Sequence, residues 1–373
     1  MRKCLICKCE LGVYGICDEC KETNRVMREQ SVDLSGYTAL VTGGRIRIGY
    51  AVCLRLLRCG ARVTAVTRFP YDALQRYSRE PDFEEFRDRL TICGFDLKRA
   101  DRIGELIDFV KETYPEGLDI LVNNAAQTIR KAPSYYAELA EGERKIAGAL
   151  AACPSGDECR QEDTAGENAP YISEKDIEII KEIVIAENSG GNFPGEFPVP
   201  FEGGGEVCGY ETPMHNSWVA KAEEISPAEM LEVQLINVTA PFLLVGQLKS
   251  HMAKSPHRNR FIINVSSVEG RFNKKMKLSR HVHTNMAKAS VNMMTHSLSS
   301  EYAAAGIYIY SVDPGWVSNQ FPAEYEVSKS HVPYLSYEDG AARICHPIWL
   351  HLNDEKRPRD AGALYKDFKI QEY

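Results

Sequence analysis

The sequence predicts an α/β protein built on a doubly wound, mainly parallel sheet. From residue 37 onward, strand-length apolar runs alternate with amphipathic helical segments. A glycine-containing turn joins the first of these strands to the first helix, and a second strand follows that helix directly. Two additions to this core are also predicted: a cysteine-rich module at residues 1–30 and a long insertion at residues 137–222.

Length and composition fit a globular chain of one large domain with accessory segments. The chain has 373 residues, of which 44% are hydrophobic and 26% charged. No run approaches the roughly 18 apolar residues needed to cross a membrane, and the N-terminal letters MRKCLICKCE lack the apolar core of a signal peptide. We therefore expect no membrane partner and a cytoplasmic location. The net charge of −7 argues against a protein that coats nucleic acid.

The N-terminal module carries two CxxC pairs, Cys4 with Cys7 and Cys17 with Cys20. Glycines between the pairs can turn the chain back so that the four thiolates converge, and four thiolates suit tetrahedral zinc. These four residues are therefore the predicted zinc ligands, with free or redox-active thiols as the alternative. The role of Cys9 stays open. A knuckle of this size would depend on the metal for its fold, and it would be structural or dock a protein partner.

The letters TALVTGGRIRIGYAVCLRLLRCGARVTAVTR, residues 38–68, predict a strand, a turn, an amphipathic helix and a second strand. Gly43, Gly44 and Gly49 stand where the backbone must approach a pyrophosphate closely. The start of the following helix supplies amide donors and a positive dipole for such a group.

This pattern resembles the short-chain dehydrogenase/reductase family, whose fingerprint is TGxxxGxG, and the resemblance covers residues 37–373 apart from the insertion. It implies a Rossmann-type sheet. Here Arg47 replaces the middle glycine, and TGxxxRxG is similar to the NADPH-using pteridine reductase branch. The resemblance implies that the cofactor phosphates lie against Thr42, Gly43, Gly44, Arg45, Arg47, Ile48 and Gly49.

The cofactor expected from the second strand is NADP(H). An NAD-specific member carries an acidic residue after this strand, whereas this chain has Thr67 and Arg68, and an arginine there pairs with a 2′-phosphate. Simple solvation of these arginines is the alternative. The resemblance implies further cofactor contacts from Asp96, Leu97, Asn123, Asn124, Ala125, Lys288, Pro314, Gly315 and Val317.

The same resemblance implies the catalytic positions. Asn237 matches the residue that holds a proton-relay water, Ser267 the residue that polarises a carbonyl, and Lys288 the lysine of YxxxK. The tyrosine of that motif is replaced by Thr284. An aliphatic hydroxyl is far less acidic than a phenol, so Thr284 is a poor general acid.

Three outcomes remain open for the missing acid. His281, seven residues before Lys288, or the neighbouring His283 could donate the proton, since imidazole titrates near neutrality. Alternatively, the acceptor needs no acid from the protein, and Ser267 and Lys288 suffice. In the third outcome the chain binds NADP(H) without turnover and signals to a partner.

The remaining segments give weaker expectations. Residues 173–187 of the insertion have helical periodicity, and Cys153, Cys159 and Cys208 are expected to be free thiols. A basic loop at residues 271–280 is a solvated face, or it meets an anionic substrate or a nucleic-acid-like partner. Residues 321–340 suggest a mobile substrate lid, and residues 362–369 a final strand. Three tyrosines from the lid are further phenol candidates, each with core packing as the alternative: Tyr325, Tyr334 and Tyr337.

Two functions follow. The first is an NADPH-dependent reductase of a small-molecule carbonyl, imine or activated double bond, with a proton donor other than tyrosine. The second is an NADP(H)-binding scaffold that engages a partner through the knuckle and the insertion. The resemblance also implies a homo-oligomer.

Overall fold

The computed structural model describes residues 2–131, 133–152, 215–273, 277–322, 333–354, 356 and 359–373. An N-terminal hairpin of two short antiparallel strands, β1 (Arg2–Lys3) and β2 (Glu10–Leu11), comes first. Eight further strands form one sheet, and in chain order they are β3 (Thr38–Thr42), β4 (Arg62–Thr67), β5 (Leu90–Gly94), β6 (Ile120–Asn123), β7 (Arg260–Val265), β8 (Ile307–Asp313), β9 (Leu364–Lys366) and β10 (Lys369–Gln371).

The order of strands across this sheet confirms the doubly wound prediction. The sequence of neighbours is β10-β9-β8-β7-β6-β3-β4-β5, and all pairs are parallel except β9 with β10. Chain order reverses between β3 and β6. In such sheets the crevice outside the carboxyl ends of the strands at the reversal is where ligands bind.

Helices cover both faces of the sheet. They are α1 (Asp18–Glu29), α2 (Arg47–Arg58), α3 (Pro70–Tyr77), α4 (Phe83–Phe86), α5 (Ile103–Thr113), α6 (Pro133–Ala152), α7 (Pro227–Gln234), α8 (Ala240–Met252), α9 (Val282–Ala304) and α10 (Tyr337–Asn353). One core joins the sheet to apolar residues of α2, α3 and α10, and the other joins it to α5, α8 and α9. The strands are buried on both faces, which is why they are continuous apolar runs.

The cysteine-rich module is docked on the large domain through α1. Arg343 on α10 is almost fully buried and donates from Nη2 to Asn24 Oδ1 of α1 at 2.9 Å. The indole Nε1 of Trp349 donates to the Gln30 carbonyl at 3.2 Å, and Arg28 pairs with Asp339 at 2.5 Å. The module is therefore anchored to the large domain by buried polar contacts.

One helical run, Pro227–Met252, is long and apolar enough by length and composition to cross a membrane. The core helix of a soluble protein passes the same test, and this run packs on the sheet. Leu244, Val245, Leu248 and Met252 are fully buried in the core beside α5.

Two regions differ from what the sequence predicts, and several predicted features lie outside the described residues. The C-terminus forms a hairpin, β9 with β10, instead of one strand, because Asp367 and Phe368 adopt positive φ angles of 47° and 65° and turn the chain. The insertion opens with α6, which the sequence did not predict. The helix expected at residues 173–187, the cysteines at 153, 159 and 208, and Tyr325 lie outside the described residues.

Candidate functional site

The glycine-rich turn between β3 and α2 is shaped by close backbone contacts. A Cβ added at Gly49 would lie 2.2 Å from the Gly43 carbonyl oxygen, and Gly43 itself has φ +73°. The Thr42 hydroxyl accepts the backbone N–H groups of Asn124 at 3.1 Å and Ala125 at 3.0 Å. These contacts join the turn to the segment after β6 and form one ledge at the reversal point of the sheet.

The start of α2 is suited to an anion. Its N-cap residue is Ile46, and no side chain caps the helix. The first amide donors of the helix are therefore left for another acceptor, and the helix dipole favours a negative one. Ile48 and Gly49 lie in this first turn, where the sequence predicts pyrophosphate.

Arg47 stands in a backbone conformation that normally selects glycine. Its φ is +58°, the left-handed region, at the position where the family fingerprint has its middle glycine. A side chain there costs about 1–2 kcal/mol relative to glycine. The arginine is thus held at an energetic cost beside the predicted phosphate site.

Arg45 does not present its charge to the groove as the sequence suggested. Its side chain is buried, and Nη1 contacts Asp72 Oδ2 at 2.5 Å. Burial would raise the pKa of the Asp72 carboxyl, but the charges of Arg45 and Arg76 outweigh it and hold that pKa low. Arg45 is therefore part of a structural ion pair, and a direct phosphate contact from it stays a prediction.

Arg68 has the opposite environment. It is exposed at the end of β4, and its guanidinium lies 5.5 Å from the ring of Phe69 and 4.8 Å from the ring of Tyr136. No carboxylate among the described residues pairs with it. A planar guanidinium held between aromatic rings is available for a phosphate.

Helix α6 covers the helix that follows Arg68. The Glu143 carboxylate accepts the backbone N–H groups of Tyr71 at 3.0 Å and Asp72 at 2.8 Å, in the first turn of α3. Burial, reinforced by the negative charge of Asp72, raises the pKa of Glu143 to about 7. The sequence gave no signal for this contact, because Glu143 is 71 residues from Asp72 and lies in the insertion.

The segments to which the resemblance assigns adenine and ribose lie at the carboxyl ends of β5 and β6. Asp96 follows β5, and its Oδ1 accepts the Lys98 N–H at 3.0 Å. Leu97 is buried in the core beside α5. Asn123 is buried, and its Nδ2 donates to Asn264 Oδ1 of the next strand at 2.9 Å, which fixes the ends of β6 and β7 together.

Asn237 lies in a π-helical turn, Leu235–Thr239, between α7 and α8. Its Oδ1 accepts the Gln127 N–H at 2.7 Å, and its Nδ2 donates to the Gln127 carbonyl at 3.0 Å. Such turns interrupt the helical hydrogen-bond ladder and are frequent at functional sites. The amide thereby joins this turn to the loop after β6, beside the groove.

Ser267 and Lys288 lie at the carboxyl end of β7. Lys288 is buried on α9, and its Nζ donates to the Val265 carbonyl at 2.7 Å. Burial lowers the pKa of Lys288 to about 8, partly offset by Asp313. Ser267 follows that strand two residues later and is half-buried, with Oγ accepting the Glu269 N–H at 3.1 Å.

Thr284 is occupied by a local contact. Its Oγ1 donates to the His281 carbonyl at 2.8 Å and is buried. A hydroxyl has one proton, and this one is already engaged in the first turn of α9. That Thr284 is a poor proton donor stays a prediction, which this contact supports.

His281 caps α9 and does not continue it. Its φ is +39°, so the helix begins at Val282. Its Nδ1 lies 2.7 Å from the Trp218 carbonyl, and the two rings stack with centroids 4.0 Å apart. Because a carbonyl only accepts, Nδ1 carries a hydrogen. The other nitrogen, Nε2, lies 3.8 Å from Glu269 Oε2.

His283 is also buried, but in another environment. Its Nε2 lies 3.6 Å from Glu229 Oε1, and neither ring nitrogen has a hydrogen-bond partner among the described residues. Burial opposes ionisation of Glu229, yet its contacts with His283 and Ser217 lower the pKa of that carboxyl.

The last cofactor segment follows β8. Gly315 has φ +85°, and its N–H donates to Asp313 Oδ1 at 2.9 Å, while Val317 is buried. In the basic loop, Lys277 folds back and donates to the Val268 carbonyl at 3.1 Å. Its neighbours Lys274 and Lys275 lie outside the described residues.

The N-terminal cysteines do converge. Cys7 and Cys17 have sulfurs 3.6 Å apart, and the sulfurs of Cys4 and Cys20 are 3.8 Å apart. The group in which all sulfurs lie within 4.8 Å of one another contains Cys9 with Cys4, Cys7 and Cys17, and not Cys20. The structure thus brings a fifth thiol to the predicted site, because Lys8 at φ +66° turns the chain tightly after Cys7.

Comparisons with known proteins agree with this geometry. Residues 37–147 and 212–328 match the family model of the short chain dehydrogenases. An uncharacterized protein of Acanthamoeba polyphaga mimivirus is 30% identical over 372 residues, which is 94% of this chain and 72% of that protein. A tropinone reductase homolog of Arabidopsis thaliana is 37% identical over 103 residues, which is 28% of this chain and 37% of that protein.

Among solved structures, the NADPH-bound carbonyl reductase from chicken fatty liver superimposes with a TM-score of 0.53 at 17% identity. The alignment covers 92% of this chain and 100% of that one. This likeness supports the fold. The family match, which spans more than half of the chain, shows that the chain belongs to the short chain dehydrogenase family.

Proposed function

We propose that this protein is an NADP(H)-dependent reductase that acts on a carbonyl, an imine or an activated double bond. The observation that carries this proposal is Lys288. Its ammonium group is buried and donates to the carbonyl of Val265, the last residue of β7, which lies two residues before Ser267. Burial of a charge is costly. A chain that only held a dinucleotide would need this lysine for the ribose but not Ser267 at the same strand end, so the two together favour turnover.

The choice of NADP(H) is supported by two features of the groove. The first turn of α2 offers backbone donors without a capping side chain, as a pyrophosphate requires. Arg68 offers an unpaired guanidinium at the end of β4, where a 2′-phosphate would lie. NADPH, when bound, would supply the hydride.

The roles of the protein groups follow from their contacts. Ser267 would donate a hydrogen bond to the acceptor's heteroatom, and Lys288 would hold the ribose hydroxyls with its charge. Asn237 would keep open a path for water through the π-helical turn. The resulting reduction adds one hydride and one proton to the acceptor.

We assign that proton to His281. Its Nδ1 hydrogen is fixed on the Trp218 carbonyl, so Nε2 is the exchangeable position, and Glu269 Oε2 lies 3.8 Å from that nitrogen. Thr284 does not compete for this role because its proton is engaged.

The test is turnover by the full chain. Purified protein should bind NADPH and oxidise it with at least one member of a panel of carbonyls, enones, imines and pteridines. Exchange of His281 for Gln should lower the rate by about a hundredfold while NADPH affinity stays within twofold. Equal rates for both forms would remove His281 from the mechanism.

A second function is favoured by the occupied Thr284 hydroxyl. If the acid is truly absent, the chain is an NADP(H)-binding scaffold that reports cofactor binding to a partner. NADPH that binds but is never oxidised across the panel would support this function, and oxidation with any acceptor would exclude it.

We also propose that the N-terminal cysteines bind one zinc ion. Zn–S bonds of about 2.3 Å place tetrahedral sulfurs roughly 3.8 Å apart, close to the separations of Cys4 from Cys20 and Cys7 from Cys17. Elemental analysis should find one zinc per chain, and Cys7→Ser should remove it. Zinc content measured for Cys9→Ser and for Cys20→Ser decides the fourth ligand, because only loss of a true ligand should remove the metal. A folded wild type without metal would refute the site.

A further inference from the structure

A cavity of about 960 Å³ lies beside the glycine-rich turn. Its walls come from the end of α1, the outer face of α2, the end of α3 and its following turn, and segments 317–319 and 333–338. It shares Arg45, Arg47 and Val317 with the predicted dinucleotide contacts. Thr67, Arg68, Asn124, Ser267 and Lys288 are not in its walls, so it is distinct from most of the groove.

The lining is unusually rich in arginine for a chain of net negative charge. It includes Arg28, Arg45, Arg47, Arg55, Arg58, Arg76 and Arg79. Against these seven guanidinium groups the lining has three carboxylates, those of Glu29, Glu80 and Glu338, and neither aspartate nor lysine. Positive charge is therefore in excess at the cavity wall.

Carboxylates behind the wall pair with several of these arginines. Asp72 is shared, with Oδ2 at 2.5 Å from Arg45 and at 2.9 Å from Arg76. Arg28 pairs with Asp339 at 2.5 Å. Glu29 of the lining is bound from outside the cavity by Arg25 at 2.6 Å.

Arg58 is paired differently, at the rim. It contacts Glu80 at 2.9 Å and Asp82 at 2.7 Å, and its side chain is 45% exposed. A ligand could therefore reach this guanidinium without first displacing a buried partner.

Arg55 has no carboxylate partner among the described residues. Its terminal nitrogens donate to three carbonyls of the α1 terminus, and its guanidinium lies 5.1 Å from the ring of Trp349. Its Nε is buried with no hydrogen-bond partner in the described structure. The charge of Arg55 is therefore not neutralised by a carboxylate of the described residues, although its Nε itself is closed to solvent.

Arg47 adds an independent observation. It points from a positive-φ position that glycine would occupy without strain. From this position the Arg47 side chain lines the cavity.

From these contacts we propose that the cavity binds a small phosphorylated polyanion, the size of a nucleoside polyphosphate, in addition to the dinucleotide. Ligand pockets span roughly 300–1,000 Å³, so the volume suits such a ligand. One guanidinium group can donate two parallel hydrogen bonds to two oxygens of a phosphate, which an ammonium group cannot do. This explains why the lining has arginine and not lysine. The ligand would contact both the knuckle helix α1 and the glycine-rich turn.

The experiment is calorimetric titration of the full chain with inorganic tripolyphosphate, with and without saturating NADP⁺. We expect one site per chain when NADP⁺ is saturating, and at least that site without it, because the start of α2 is then open to the same anion. Exchange of exposed Arg79 for Gln, alone and with Arg58→Gln, should weaken binding by about tenfold or more. Arg87→Gln is the matched control, because Arg87 pairs with Glu84 and Asp88 away from the cavity and should bind as wild type does.

Three results would overturn the proposal: no binding by the wild type, binding that disappears when NADP⁺ saturates the groove, or Arg79→Gln binding that equals wild type. The variants' thermal midpoints and NADPH affinities report whether they are folded. If the chain binds no nicotinamide cofactor, the titration without it still tests the cavity, so the two proposals fail separately.

Discussion

The two ends of the groove differ in how closely they keep the family pattern. At the glycine-rich turn, Thr42, Gly43 and Gly49 are tied to neighbouring backbone, and a Cβ at Gly49 would collide with the Gly43 carbonyl. At the start of α9, Lys288 is kept, but Thr284 bonds to the helix's own first turn and His281 is stacked on Trp218.

The difference shows which part of such a site is held by the fold. Gly43 and Gly49 are constrained by packing, so a side chain at either position would disrupt the turn as well as binding. The proton donor is one side chain at the end of a helix, and it can change without effect on the core. Retention of the fold therefore argues for cofactor binding more strongly than for turnover.

The largest expected effect comes from Lys288, on α9 at the second end of the groove. Lys288→Met should lower kcat/KM by at least about a hundredfold, because a buried charge on the ribose is lost. Lys249→Met is the matched control, since Lys249 pairs with Glu301 on the surface of α8. Steady-state NADPH oxidation measures both, and equal losses in the two variants would contradict the role.

The rate of NADPH oxidation should also depend on pH, in a direction set by Lys288. Burial lowers the pKa of Lys288 to about 8, so the ammonium is present below pH 8 and is lost as pH rises through that value. The rate with wild type should therefore fall above pH 8. In Lys288→Met this inflection should be absent.

The next effect concerns the cofactor end alone. Arg68→Asp should weaken NADPH by roughly ten- to a hundredfold and leave NADH within a few fold, because a carboxylate repels the 2′-phosphate and accepts ribose hydroxyls. Fluorescence titration with both cofactors measures this preference. Arg62→Asp, an exposed residue at the start of β4, is the control, and equal losses for NADPH and NADH would remove the basis for NADP(H).

Local pattern explains what the sequence predicted. The strands β3 and β4, the turn between them and the helix α2 follow from apolar periodicity and glycine placement within about thirty residues. The positions of Ser267 and Lys288 follow from motifs of a few residues. These features depend on short-range geometry, which the sequence carries directly.

Long-range contacts explain what it did not predict. Arg45 pairs with Asp72, and His281 stacks on Trp218. Trp218 is 63 residues from His281 in the sequence, and the two belong to no common motif. The arrival of Cys9 among the zinc candidates depends on the backbone of Lys8. In each case the residue type was visible, but the partner that decides its role lies elsewhere in the chain.

The smallest expected effect concerns α6, the part of the insertion that reaches the cofactor end. The pKa of Glu143 is raised to about 7, above its ordinary value of 4.5, so the folded state favours the protonated carboxyl. Its contribution to stability is therefore full below about pH 4.5 and is lost as pH rises through 7. We expect hydrogen-exchange protection of α6, corrected for intrinsic rates, to fall a few fold between pH 6 and pH 8.

Glu143→Gln should remove that pH dependence, because an amide stays neutral while its oxygen still accepts from the first turn of α3. Glu141→Gln, on the exposed face of the same helix, should keep it. Tyr136 of α6 stacks on Arg68, so loosening of the helix should also change how that guanidinium meets a 2′-phosphate. The insertion regulates the cofactor end if, as pH rises, NADPH affinity and α6 protection fall together in wild type but not in Glu143→Gln. It does not if α6 protection in wild type is independent of pH.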